Sequence, residues 1–164
     1  MTSSKPKLHV ICGRIAAGKS TLAARLSEPA HIVCISEDDW LSALYGTQMQ
    51  TVQDYVKFSA KLREVMTPHI SQLLKAGLSV VLDYHANTIE NRRWMRECAA
   101  QAGAEVLLHL LEVDEETCWQ RLLDRNACRE HPFQPSRAQF IQICKHYAPP
   151  QPEESFAIQI HRAG

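Results

Sequence analysis

The octapeptide Gly13-Arg14-Ile15-Ala16-Ala17-Gly18-Lys19-Ser20 constrains this chain more than any other stretch, because it satisfies G-x-x-x-x-G-K-[ST] in full. The pattern works only between a strand and a helix, and both are written around it. The apolar run Leu8-His9-Val10-Ile11-Cys12 precedes it, and a helix-forming segment from Ser20 to Leu26 follows. Gly13 and Gly18 let the backbone curl until its N–H groups converge on an anion, and the start of the following helix adds a favourable dipole. Lys19 supplies a point charge between the β- and γ-phosphates, and the Ser20 hydroxyl is placed to ligate Mg²⁺. The loop, extended to Thr21 on the first helical turn, is therefore expected to hold the phosphates of a nucleoside triphosphate.

The rest of the chain supplies the frame such a loop needs. Short apolar runs at Leu8–Cys12, Ile32–Ile35, Ser79–Leu82, Val106–Leu111 and Phe156–Ile160 read as strands, and helix-periodic segments separate them. Leu62, Val65, Met66, Ile70, Leu73 and Leu74 put an apolar face on a helix spanning Asp54 to Ala76, with Gly77 as its stop. Thr67-Pro68 is expected to kink that helix or to start a second one. Thr88 caps a helix running to Ala102, Asp114 opens one running to Asn126, and Ser136 with Gln139 forms a capping box for one ending near His146. Five strands and about six helices make one three-layer α/β domain with a largely parallel sheet. The 164 residues are enough for a single domain with a buried core.

Charge and hydropathy narrow the partners. Eighteen Lys plus Arg balance eighteen Asp plus Glu, so no global basic field exists to grip a long nucleic acid. No apolar run is long enough to span a bilayer, and the polar start from Met1 to Lys7 does not resemble a signal peptide; a cytoplasmic protein is expected. Six cysteines without a C-x-x-C read as reduced, mostly buried thiols. Cys128, His131, Cys144 and His146 are the one zinc-like grouping, but a C-x-H pair on a helix points its side chains apart. Without a long heptad segment, a monomer is the default.

Three further elements bear on chemistry. Ser79-Val80-Val81-Leu82-Asp83 is an apolar strand ending in an acid, which places Asp83 beside Ser20 to hold Mg²⁺. No Glu follows Asp83 to activate water, which favours phosphoryl transfer over hydrolysis-driven motion. After the second strand come Ser36, then Glu37, Asp38 and Asp39, at the strand end where ligands of a parallel sheet bind. Asp38 or Asp39 could take the proton of an acceptor hydroxyl; equally, the acids could simply favour the start of a short helix capped by Ser36. Finally, Arg121, Arg125 and Arg129 lie four apart, on one helical face, and are suited either to a triphosphate or to surface ion pairs.

These motifs resemble those of the small P-loop kinases typified by the 5′-kinase domain of phage polynucleotide kinase, with chloramphenicol phosphotransferase and the zeta-type toxin kinases as more distant relatives. The resemblance runs from about Leu8 to Tyr147 and implies the P-loop nucleoside triphosphate hydrolase fold with a five-stranded parallel sheet in the order 2-3-1-4-5. It matches Asp38-Asp39-Trp40 to the family's D-D-aromatic motif, which implies Asp38 as catalytic base. It matches Asp83, Asn87 and Arg92-Arg93 to the segment after the third strand. It also matches Arg125-Asn126-x-x-Arg129 to a lid, about 121–137, whose arginines contact the ATP phosphates.

One departure bears on the acceptor. The family places an arginine shortly after the Asp pair to hold an acceptor phosphate, whereas this chain has Leu41-Ser42-Ala43. Between Cys34 and Val56 it carries four acids and no Lys or Arg, although Lys57, Lys61, Arg63, Arg92 and Arg93 could supply positive charge from elsewhere. The expectation is an ATP- and Mg²⁺-dependent kinase acting on the hydroxyl of a small neutral or cationic molecule. A polynucleotide or RNA 5′-hydroxyl kinase and a nucleotide-dependent switch, or weak ATPase, binding a protein partner are the alternatives. His85 is an auxiliary base or a loop histidine, and Trp40, Tyr45 and Tyr84 either stack on a ligand or pack.

Overall fold

Each apolar run forms a strand within a residue or two of its expected limits: β1 Lys7–Cys12, β2 Ile32–Ser36, β3 Ser79–Asp83, β4 Glu105–Glu112 and β5 Ala157–Arg162. The structure, a computed structural model, describes residues 4–128 and 134–162. The strands join one sheet in the order β2-β3-β1-β4-β5, every pairing parallel. β1 and β3 are nearly continuous in buried apolar residues, as central strands covered on both faces must be.

Helices cover both faces. On one lie α2 (Glu37–Tyr45), α3 (Val52–Lys75) and α4 (Ile89–Gln101), packing Leu41, Phe58, Leu62, Met66, Ile70, Leu74, Met95 and Cys98 over Leu8, Val10, Val80, Leu82 and Leu108. On the other lie α1 (Lys19–Leu26), α5 (Glu115–Cys128) and α6 (Arg137–Lys145), which bury Leu22, Ala23, Cys118, Leu122 and Phe140 against Ile11, Val81 and Leu111. A 3₁₀ turn, Pro152–Glu154, leads into β5.

Two details differ from expectation. α3 begins at Val52, because Thr51 and Asp54 form a capping box there, and the chain stays helical through Pro68 instead of starting a second helix. Buried residues lie on both sides of the proline, with Leu62 and Met66 before it and Ile70 and Leu74 after it, so tertiary packing holds the helix across the missing N–H. The six cysteines are free, but only Cys12, Cys98 and Cys118 are buried; Cys34, on the edge strand β2, and Cys128 are exposed.

Candidate active site

Gly13 begins the loop because no side chain fits at its position. A Cβ there would stand 2.9 Å from Leu111 Cβ on β4. Gly18 has φ +102°, in the left-handed region that favours glycine, and its carbonyl accepts the first intrahelical bond of α1, from Leu22 N–H at 3.0 Å. Between them Ala17 N–H donates to Arg14 O at 3.0 Å, Ala17 is buried, and Ile15 and Ala16 pack on the α1–α5 core. Ser20 and Thr21 lie exposed on the first turn of α1, which contains no acidic residue to oppose an anion.

The loop meets Asp83 at the end of β3. Lys19 Nζ lies 2.5 Å from Asp83 Oδ1, and Ser20 Oγ donates to Oδ2 at 3.1 Å. Parallel pairing sets Ser36 of β2 opposite Asp83, so α2, which starts at the next residue, opens beside that carboxylate. Ser36 Oγ accepts from Asp39 N–H at 3.3 Å and caps α2, with Glu37, Asp38 and Asp39 in its first turn. The capping role and a chemical role are compatible, since Asp38 and Asp39 remain exposed. Glu37 does not: it is buried, and its Oε1 accepts from Tyr55 Oη at 3.3 Å and from Ser59 Oγ, which ties the start of α2 to α3. Burial pushes the Glu37 carboxyl upward, opposed by the Ser59 bond and the nearby Arg63 charge.

His85 lies within the field of Lys19, Asp38 and Asp83. Burial and then Lys19 hold its pKa down to about 4, against the two carboxylates, so its imidazole is neutral at pH 7. Arg14 reaches the other side of the loop, where its Nη1 donates to Val113 O at 3.1 Å and its guanidinium stacks over the Tyr147 ring at 4.8 Å. Both border a cavity of about 340 Å³ that also touches Glu112, Asp114 and Pro149.

Of the arginines expected on one helical face, Arg121 on α5 contacts the loop, donating to Ala17 O at 3.3 Å. Arg125 is half-buried, with its Nε buried and unpartnered among the described residues, and burial lowers its pKa. Arg129 and His131 lie outside the described residues, and with them part of the expected lid.

The acceptor side corrects several sequence expectations. Leu41, standing where an acceptor-binding arginine was sought, is 1% exposed and belongs to the core. Arg92 is 0% exposed and gives its guanidinium to both oxygens of Glu154, at 2.8 and 3.0 Å, and to the carbonyls of Ala86 and Ala148. It offers no charge to an acceptor. Arg63 is the cation brought near Glu37, with Nη2 donating to Asn91 Oδ1 at 2.7 Å and its guanidinium 4.6 Å over Trp94. Tyr84 packs on Trp94 and Tyr45 stacks on Phe58 at 4.2 Å, which leaves Trp40, 40% exposed, as the one of the three aromatics open to a ligand.

Asn87, which the resemblance matched to the segment after the third strand without giving it a role, meets the loop directly. Its Oδ1 accepts from Gly13 N–H at 3.0 Å and its Nδ2 donates to Gly13 O at 2.9 Å. Nothing in the sequence pairs this amide with Gly13, 74 residues away.

Residues 8–150 match a family model described as an AAA domain. A candidate kinase from Chloroflexus aurantiacus J-10-fl is similar in structure, with a TM-score of 0.76 and 16% identity over 96% of this chain and 85% of that one. Chaetomium thermophilum Kti12, in complex with ADP-AlF3, has a TM-score of 0.66 at 16% identity, over 95% and 88% of the two chains. Mycobacterium tuberculosis APS kinase CysC, in complex with AMPPNP and APS, has a TM-score of 0.61 at 17% identity, over 96% and 88%. At these identities the likeness is one of fold. No curated protein sequence matches the chain.

Proposed function

The chain belongs to the AAA-domain family and is built as a small P-loop kinase, and on that premise we propose that it transfers the γ-phosphate of ATP to a hydroxyl of a small acceptor molecule. The observation that carries the proposal is the register of β2 on β3. Ser36 opposite Asp83 sets the acids of α2 beside the carboxylate to which Lys19 and Ser20 are both bonded.

In this reading the loop from Gly13 to Thr21 cradles the phosphates, and the cavity beside Arg14 and Tyr147 has room for the base. Asp38 accepts the proton of the acceptor hydroxyl as its oxygen bonds to the γ-phosphorus. The bond to the β-phosphate oxygen breaks in line, and ADP leaves without a phosphoenzyme. Lys19, with Arg125 and Arg129 from a lid at about 121–137, holds the charge that spreads over the transferred group. His85, its pKa held down to about 4, adds no positive charge to the field around Asp38 at pH 7.

The donor set also fits Mg²⁺. Neighbouring oxygens around that ion at 2.0–2.1 Å lie about 2.9 Å apart, and Ser20 Oγ and Asp83 Oδ2 are 3.1 Å apart. When bound there, the ion would neutralise phosphate charge.

The acceptor we infer is small and neutral or cationic. Supporting this, α2 presents Asp38 and Asp39, Leu41 is turned into the core and Arg92 is committed to Glu154. The chain acts as a monomer in one P-loop kinase domain in the cytoplasm, and no described helix is long and apolar enough to cross a membrane. The test is ADP production from ATP with and without pooled small hydroxyl compounds. Production that rises with the pool supports the kinase. Slow production that no acceptor changes, with nucleotide-dependent association to a protein, would replace it with a nucleotide switch.

A further inference from the structure

The β1–β3 ladder stops at Val10 opposite Leu82, with Ile11 and Cys12 of β1 still to come before the phosphate loop. Beyond it, Ala86 N–H donates to Ile11 O at 3.1 Å, and then the Asn87 side chain takes over. Its amide meets Gly13 in both directions, accepting from the N–H at 3.0 Å and donating to the carbonyl at 2.9 Å, across 74 residues of sequence. A primary amide used this way stands in for a peptide group and adds the rung that the strands no longer supply. Gly13 is buried, so without this partner its N–H and C=O would face the interior unpaired. Glycine also has the freest backbone of any residue, so an unclamped Gly13 would sample many conformations in which the loop N–H groups do not converge.

The same residue is anchored from behind. Asn87 O accepts from Ala148 N–H at 2.8 Å, and Arg92 Nη1 donates to Ala86 O at 2.9 Å and to Ala148 O at 2.7 Å. Arg92 is locked in turn by Glu154. Asn87 is therefore tied through its backbone to the Ala148 segment, which Arg92 joins to Ala86. The neighbours of Ala148, Tyr147 and Pro149, border the cavity beside Arg14.

We propose that Asn87 is a positioning residue for nucleotide binding, acting through Gly13 to hold the entry of the phosphate loop in its anion-binding shape. The proposal rests on the loop as the triphosphate site. Because the clamp acts on the loop and not on the base, its loss should weaken any ligand that carries the polyphosphate, whether or not a base is attached.

The test is titration of wild type, Asn87→Ala and Asn87→Asp with ATP and with inorganic tripolyphosphate, well below each protein's thermal midpoint. Asn91→Ala serves as control: it removes two other side-chain ties of the same segment, to His85 O at 2.9 Å and from Arg63 Nη2 at 2.7 Å, and leaves Gly13 alone. We expect Asn87→Ala to bind both ligands about tenfold more weakly, by the same factor, as the loss of the clamp's hydrogen bonds would produce. Asn87→Asp keeps the acceptor for Gly13 N–H but sets a carboxylate oxygen against Gly13 O and near the phosphates. It should bind more weakly still, and it keeps the test open if the alanine variant does not fold. Asn91→Ala should match wild type. Unchanged affinity in both Asn87 variants would overturn the proposal. So would a loss confined to ATP, which would place the effect in the Tyr147–Pro149 wall. Wild type that binds neither ligand would instead remove the loop assignment itself, a failure distinct from that of Asn87.

Discussion

Lys19 Nζ lies 2.5 Å from Asp83 Oδ1, joining the phosphate loop to the end of β3 through two side chains that are only 11% and 10% exposed. Ser20, the next residue, holds the other oxygen of the same carboxylate. One strand-end carboxylate thus fixes the loop's cation and its hydroxyl side by side.

Replacing Lys19 by Ala should lower phosphoryl transfer by about 10³-fold, since it removes a charge aimed at the group in transit. The fold should survive, because Lys19 contributes nothing to either apolar core. Steady-state transfer and far-UV circular dichroism check both halves of this expectation.

Asp38→Asn should leave ATP affinity near wild type while transfer falls by about 10²- to 10⁴-fold, the range for loss of a general base. Asp39→Asn should be mild, because the backbone N–H of Asp39, not its side chain, makes the capping bond to Ser36. The reverse pattern in a side-by-side kinetic comparison would move the base by one residue.

Arg92→Leu should destabilise the protein by roughly 3 kcal/mol, as removal of one partner from a buried ion pair does. Arg92 is 0% exposed, and its removal takes the guanidinium from Ala86 O and Ala148 O and leaves Glu154 with only the Gln151 N–H at Oε2. Urea unfolding measures the loss; Arg93→Leu, at an exposed neighbour, should cost little.

A row of three histidines sets a dependence on pH. His9 Nδ1 lies 2.9 Å from His109 Nε2, and His109 Nδ1 lies 2.9 Å from His161 Nε2, across β1, β4 and β5. Burial, followed by the neighbouring rings, lowers His109 from 6.5 to about 4. Burial also lowers His9 and His161, helped by Lys7 and Arg25 respectively. A histidine whose pKa is lower in the folded state favours folding in its neutral form. Its contribution is complete above pH 6.5 and is lost as pH falls from 6.5 towards about 4. Unfolding free energy should therefore drop across that window, and His109→Asn, though less stable at pH 7, should show a shallower slope.

How far the sequence disclosed this molecule depended on the range of the interaction. Local patterns were legible: the loop motif, the Thr88 and Ser136 caps and the apolar runs all place elements within a residue or two. Contacts between distant positions were not. Arg92 could not be told from Arg93, because Glu154, which draws the first into the interior, lies 62 positions away. Glu37 read as one of three equivalent first-turn acids until Tyr55 and Ser59 gave it a buried seat. The Asn87 amide is matched to Gly13 by sheet geometry that no spacing rule encodes.

The central claim is most directly tested by incubating wild type and Asp38→Asn with γ-labelled ATP, small hydroxyl compounds and a 5′-hydroxyl oligonucleotide, and then separating the products. The account expects label in the small-molecule fraction with wild type and almost none with Asp38→Asn, while both proteins bind ATP. Label in the oligonucleotide would contradict the small acceptor. Label found only in inorganic phosphate, at equal rates in the two proteins, would contradict phosphoryl transfer by Asp38 altogether.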